Sequence, residues 1–302
     1  MQHIEIFHRD FLRFVLPQCP LVKLHSGMAW TEGPVHFADT KTLVWSDSPN
    51  HRLMKLDEVS GSVSILRESS NYANGNTRDM QGRLVSCEHA TRSITRTEWD
   101  GSIVTLVDSF EGRPLNSPND VVVKSDGTIW FTDPTYGISA EYEGGVAIPE
   151  QEKRNVFRFD PRDNSLRSVV DDFAQPNGLA FSPDEKSLYI ADSGFWPNPD
   201  DPHHIRAFDV TDDGFLTNSR VIVDVEPGIP DGLRVDASGN LWISCADGVL
   251  CARSNGELIG KIKVPENVAN LCFGGERRNR LYICAHTSVY AIYLNTTGAF
   301  RP

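Results

Sequence analysis

Four oxygen-bearing side chains stand in equivalent places along this chain: Glu32 in Glu32-Gly33-Pro34, Asn119 in Pro118-Asn119-Asp120, Asn177 in Pro176-Asn177-Gly178 and Asp231 in Pro230-Asp231-Gly232. Two carboxylates with amide oxygens, and no cysteine or histidine cluster among them, make a donor set for a hard divalent cation. Calcium heads the order, with magnesium, manganese and zinc as the alternatives. Each residue also has an ordinary reading, because Asx side chains commonly hold turns by bonding backbone groups two residues on. The joint pattern favours the cation: Asp120, Gly178 and Gly232 follow in the same register, and a glutamate at position 32 lacks the Asx habit. The trio Glu32, Asn177 and Asp231 is the expected ligand set. So small a set leaves positions for water and substrate, which suits catalysis.

Each of these residues opens a unit that repeats along the chain. In Asn177 to Asp192 an apolar run reaches Phe181, Ser182-Pro183-Asp184 makes a turn, and a second apolar run follows from Leu188 to Ala191. The stretches Val121 to Thr132, Leu233 to Ser244 and Val35 to Ser46 repeat the pattern, and Asn74 to Cys87 and Leu271 to Cys284 are further copies. The second-run markers Trp45, Leu84, Trp130, Tyr189, Trp242 and Tyr282 recur 39 to 59 residues apart, which leaves room for two more strands in each interval. Four strands at that period predict an all-β fold, a six-bladed β-propeller with four-stranded blades over one domain of residues 1–302. Leu21 to His25 is expected to supply the outer strand of the last blade and close the ring, leaving residues 1–20 as an edge strand or arm. No segment carries a sustained helical apolar period.

Composition narrows the function classes. The 302 residues carry a formal net charge of −12, against the clustered basic surface that nucleic-acid binding requires. No apolar run approaches the roughly 20 residues of a membrane-spanning helix. The start, Met1 to Ile6, has no basic segment followed by an apolar one, so the cytoplasm is the expected location. The six cysteines form no C-x-x-C pair and read as buried, inert thiols.

In such a blade the first strand lines the central channel, so Glu32, Asn119, Asn177 and Asp231 are expected at one mouth. The ends of the second strands return to that mouth, and the expected rim holds Asp47, Glu88, His89, Asp133 to Tyr136, Asp192 to Trp196, Asp247 and His286. At these residues the chain resembles the gluconolactonase family, to which senescence-marker protein (regucalcin) belongs. The resemblance runs from about Trp30 to Leu294. It is carried by Trp30-Thr31-Glu32-Gly33-Pro34, Asn116 to Val121, Phe131 to Gly137, Pro176-Asn177-Gly178 and Pro230-Asp231-Gly232. It implies a six-bladed propeller with one divalent cation on Glu32, Asn177 and Asp231, a small sugar lactone as substrate, and Asp231 as general base. Asn119 would bind metal or substrate. The animal members carry an arginine two residues before that asparagine, where this chain has Ser117. His89, Tyr136 and Trp196 are the candidates to make the sugar contacts instead.

The expected reaction is hydrolysis of the lactone ester, with the cation polarising the carbonyl and Asp231 taking a proton from the attacking water. No G-x-S-x-G elbow offers a serine nucleophile. The rivals are an esterase or phosphotriesterase acting at the same cation, and a binding propeller whose calcium is structural.

Overall fold

The computed structural model describes residues 3–194 and 198–299. Six antiparallel sheets of four strands form the blades of a propeller. Blade 1 runs Thr31–Phe37, Thr42–Asp47, Arg52–Asp57 and Val63–Arg67, and blade 2 runs Ala73–Arg78, Leu84–Glu88, Ser93–Thr97 and Ile103–Val107. Blade 3 is Val121–Val123, Ile129–Asp133, Asn155–Asp160 and Ser165–Val170; blade 4 is Pro176–Phe181, Ser187–Ser193, His203–Val210 and Leu216–Asp224. Blade 5 is Leu233–Val235, Leu241–Cys245, Gly248–Ala252 and Leu258–Lys263. Blade 6 draws Val268–Gly274, Arg280–Ala285 and Ser288–Tyr293 from the end of the chain and its outer strand, Val22–Ser26, from the beginning. The expected closure is therefore realised, with Val22 opposite Ala291 and Ser26 opposite Ser288. Residues before it are used too: Ile4–Ile6 adds a fifth strand to blade 5, and Phe11 buries its ring against Trp242, 6.0 Å between centroids. Among the described residues no helix is long and apolar enough to cross a membrane.

Second strands are sandwiched between neighbouring blades and buried on both faces, so they read as continuous apolar runs such as Ile129-Trp130-Phe131 rather than as alternations. The marker residues all lie in these interfaces; Trp45, Trp130, Trp242 and Tyr282 are buried completely or nearly so. Each adjacent pair of blades encloses its own apolar cluster, as Val35, Val44 and Leu53 of blade 1 meet Ala73 and Leu84 of blade 2. Five of the six cysteines are buried and all are free.

First strands pack side by side around the axis, and their beginnings approach too closely for side chains on every residue. A Cβ on Gly178 would stand 2.3 Å from the carbonyl oxygen of Asp231, one on Gly75 2.4 Å from that of Asn119, and one on Gly33 2.1 Å from that of Asn74. These are backbone atoms of the next blade, which cannot swing aside. In blades 1, 2 and 4 glycine after the oxygen-bearing residue is thus a packing requirement as well as a repeat signature.

The seam between first and last strands is fastened at Glu266. Its carboxylate accepts from Lys23 Nζ on the closing strand (3.1 Å), Ser288 Oγ (2.6 Å), Tyr290 Oη (2.6 Å) and Thr287 Oγ1 (2.8 Å). Burial by itself would raise its pKa, but these donors outweigh burial and hold it at about 2. A depressed folded-state pKa stabilises above the unfolded value and stops doing so as the carboxylate protonates. The stability difference between wild type and Glu266→Gln should therefore be full at neutral pH and shrink as pH falls from about 4.5 toward about 2, read by thermal unfolding across that range. A pH-independent difference would remove the carboxylate from the seam's energetics. Gly178→Ala should lower stability by about 1–3 kcal/mol in urea denaturation, and an unchanged midpoint would contradict the close approach at the axis.

Candidate active site

At the mouth where the first strands begin lies a cavity of about 450 Å³. Glu32, Asn119, Asn177 and Asp231 all line it, as do His89 and Tyr136; Trp196 lies outside the described residues. The local backbone explains the convergence. The ladder between first and second strands slips after Glu32 in blade 1 and after Pro176 in blade 4, so the oxygen-bearing residue sits in a bulge that turns its side chain toward the axis. Backbone bonds then link one blade's site residue to the next: Gly178 N–H donates to the Asp231 carbonyl (3.0 Å), and Gly75 N–H to that of Asn119 (2.8 Å).

The amides form a chain across the site. Asn74 Nδ2 donates to Asn119 Oδ1 at 3.0 Å, and Asn119 Nδ2 donates to Asn177 Oδ1 at 2.6 Å. Glu32 accepts from Gly33 N (3.0 Å), Asn270 Nδ2 (3.3 Å) and Trp30 Nε1 (3.5 Å). Below it Asn270 Nδ2 also reaches Asp120 Oδ2 (3.4 Å), which faces Arg234 Nη1 at 3.5 Å. Asp120 and Asn270 occupy the glycine register of blades 3 and 6, so their side chains fill the axis and floor the cavity. Among the described residues no lysine or arginine lines the cavity, which is bordered by Glu32, Asp231 and Glu143. Burial raises the pKa of Glu32, and repulsion from Asp120 adds to it. Burial likewise raises Asp231, with Glu32 and Asp120 as the repelling neighbours.

The expected rim acids do different work. Asp47 Oδ1 accepts from Ala29 N (2.9 Å), Asp133 Oδ2 from Asn116 N (2.8 Å), and Asp192 Oδ2 from Ala174 N (3.1 Å). Each of those donors lies three residues before Glu32, Asn119 or Asn177. In blade 2 Glu88 does the equivalent, accepting from the Asn71 side chain (2.8 Å), three residues before Asn74. The three aspartates turn away from the cavity because the loops leading into blades 1, 3 and 4 each present a backbone N–H there that they satisfy. Ser117 is buried, donates to the Pro134 carbonyl (2.7 Å) and accepts from Gly137 N (3.0 Å), and does not line the cavity.

Sequence reasoning passed over three groups. Asn74 shares the register of Asn177 and is followed by glycine, a signal that its missing proline obscured. Tyr142 and Glu143 come from a strap between the second and third strands of blade 3, built on the small hairpin Ser139–Ala140 with Gly145–Val146. The strap reaches over the mouth to blade 1, where Tyr142 Oη donates to the Ala29 carbonyl (3.3 Å). Tyr136, at its base, is fixed by donation to the Ser193 carbonyl (3.0 Å).

Residues 30–287 match the model of the SMP-30/gluconolactonase/LRE-like region. A gluconolactonase of Zymomonas mobilis is 30% identical over 92% of this chain and 82% of its own length, and a pentonolactonase of Haloferax volcanii is 27% identical over 83% and 80%. A solved gluconolactonase structure from Xanthomonas campestris is 37% identical, covering 96% of this chain and 94% of its own, with a TM-score of 0.90. A cavity built on the repeats' oxygen-bearing residues and a match spanning nearly the whole propeller lead to one assignment: the chain belongs to the SMP-30/gluconolactonase/LRE-like family.

Proposed function

We propose that this protein is a carboxylic-ester hydrolase that opens sugar lactones with the help of a divalent cation held by Glu32, Asn177 and Asp231. The observation that carries the reading is a cavity with several acidic residues and, among the described residues, no lysine or arginine on its lining. Buried like charges disfavour ionisation unless a counter-charge joins them. Among the described residues no three of histidine, cysteine, aspartate and glutamate are grouped to hold an ion. The set is instead two carboxylates with amide oxygens, which suits an oxygen-seeking cation, calcium first. The names of the family relatives supply the reaction class: gluconolactonase, lactonohydrolase and pentonolactonase.

A bound cation would polarise the lactone carbonyl and stabilise the negative charge that develops on its oxygen. The chain's own residues do the rest. Asp231 accepts a proton from the water that attacks the carbonyl carbon. The ring C–O bond then breaks, and that proton passes to the departing ring oxygen, leaving a free acid and a new hydroxyl. Asn119 and Tyr136 flank the substrate in the cavity, and the strap bearing Tyr142 limits water around it.

Two measurements test this reading. Hydrolysis of D-glucono-1,5-lactone, followed by acid release, should vanish after chelation and return with one of calcium, magnesium, manganese or zinc; full activity in the chelated protein contradicts the cation. Asp231→Asn should lower kcat by about 10²–10⁴-fold, and near-wild-type turnover would sink the general-base role. Cation binding without turnover of any lactone or ester would instead favour the non-catalytic propeller.

A further inference from the structure

His89 follows the second strand of blade 2 and is 3% exposed. Its ring is gripped by the strap: a Cβ on Gly137 would stand 2.3 Å from the ring, and one on Gly144 2.8 Å from the His89 Cβ. Nδ1 lies 2.8 Å from the Glu143 carbonyl oxygen. A carbonyl can only accept, so Nδ1 carries the hydrogen and Nε2 of the neutral ring is left as an acceptor. That Nε2 is shielded from solvent and has no hydrogen-bond partner among the described residues, while the Asn119 side chain stands beside it. Burial favours the neutral ring, with its pKa lowered to about 4.

Asn119 completes the account. One amide hydrogen goes to Asn177 Oδ1 and its own oxygen accepts from Asn74. The reversed amide would set oxygen against two acceptors, Asn177 Oδ1 and His89 Nε2, and NH₂ against the NH₂ of Asn74. We propose that His89 is a positioning residue: its Nε2 takes the second amide hydrogen of Asn119 and so holds Asn119 Oδ1 as an acceptor in the site. The strap and the axial residues are thereby joined through one imidazole, from the Glu143 carbonyl to His89, Asn119 and Asn177. A shielded Nε2 suits this role better than direct contact with substrate. The kinetic consequence rests on the lactonase reading above; the orientation of the two side chains does not.

The experiment has a kinetic arm and a spectroscopic one. His89→Leu should lower kcat/KM for D-glucono-1,5-lactone about tenfold, as loss of an orienting partner does elsewhere. His89→Gln, which can offer its own amide oxygen to Asn119, should regain most of that loss. In an Asn119→Ala background His89→Leu should have no further effect; additive losses overturn the proposal. In the wild type, ¹⁵N NMR should show His89 protonated on Nδ1, with the Asn119 side-chain amide protons protected from exchange and losing that protection in His89→Gln less than in His89→Leu. An Nε2-protonated ring, or Asn119 exchange indifferent to position 89, overturns it as well. A wild type that hydrolyses no lactone defeats the lactonase reading alone, and the spectra then decide the positioning role.

Discussion

The backbone contact between the beginnings of neighbouring first strands governs everything above it. In blades 2, 4 and 5 the N–H after the site residue donates to the carbonyl of the next blade's site residue: Gly75 to Asn119 at 2.8 Å, Gly178 to Asp231 at 3.0 Å and Gly232 to Ala269 at 2.7 Å. At those three junctions no Cβ fits, so sequence and geometry constrain each other directly there. The carbonyls are committed to the ring, the bulge turns the side chains inward, and the side-chain oxygens of five blades (Glu32, Asn74, Asn119, Asn177 and Asp231) arrive in one small volume. Blade 6 has Ala269 in the site register, and so contributes no side-chain oxygen at that position, though the neighbouring Asn270 donates to Glu32 at 3.3 Å.

A second tension runs vertically. The cavity gathers carboxylates, and Arg234, a basic group near its floor, is engaged with Asp120 and the Leu233 carbonyl. Such concentration of like charge costs folding free energy that the apolar clusters between blades must offset. The carboxylates that staple the loops entering blades 1, 3 and 4 belong to that support: Asp47, Asp133 and Asp192 satisfy N–H groups that would otherwise be orphaned and fix where those first strands begin. Rim and site are both acidic, yet one set serves the backbone and the other faces the cavity.

The propeller, its blade count and its closing strand were legible because they rest on repetition, and repetition survives in sequence as register. That Glu32, Asn177 and Asp231 meet at one cavity was legible for the same reason. Asn74 was within reach, since Asn74-Gly75 matches Asn177-Gly178, but the flanking proline that made the other copies conspicuous is absent. Asp47, Asp133 and Asp192 were placed at the right mouth and given the wrong audience: strand alternation does not reveal which neighbour's N–H lacks a partner. Tyr142 and Glu143 were out of reach because the strap has no counterpart in the other blades. His89 was placed on the cavity, whereas its partners come from that same unrepeated segment.

The ring is sealed by residues from opposite ends of the chain: Val22–Ser26 lies beside Ser288–Tyr293, and Ile4–Ile6 beside Leu258–Lys263. During synthesis the earliest strands emerge first yet have nowhere to dock until the last blades follow them. Blades 1 to 4 can assemble in order, each on its predecessor, while the leading segment waits with its apolar residues unpartnered. Blades 5 and 6 are then completed almost together, and the seam at Glu266 forms last. A slow, late, long-range closing step is thus written into the topology, however quickly individual hairpins form.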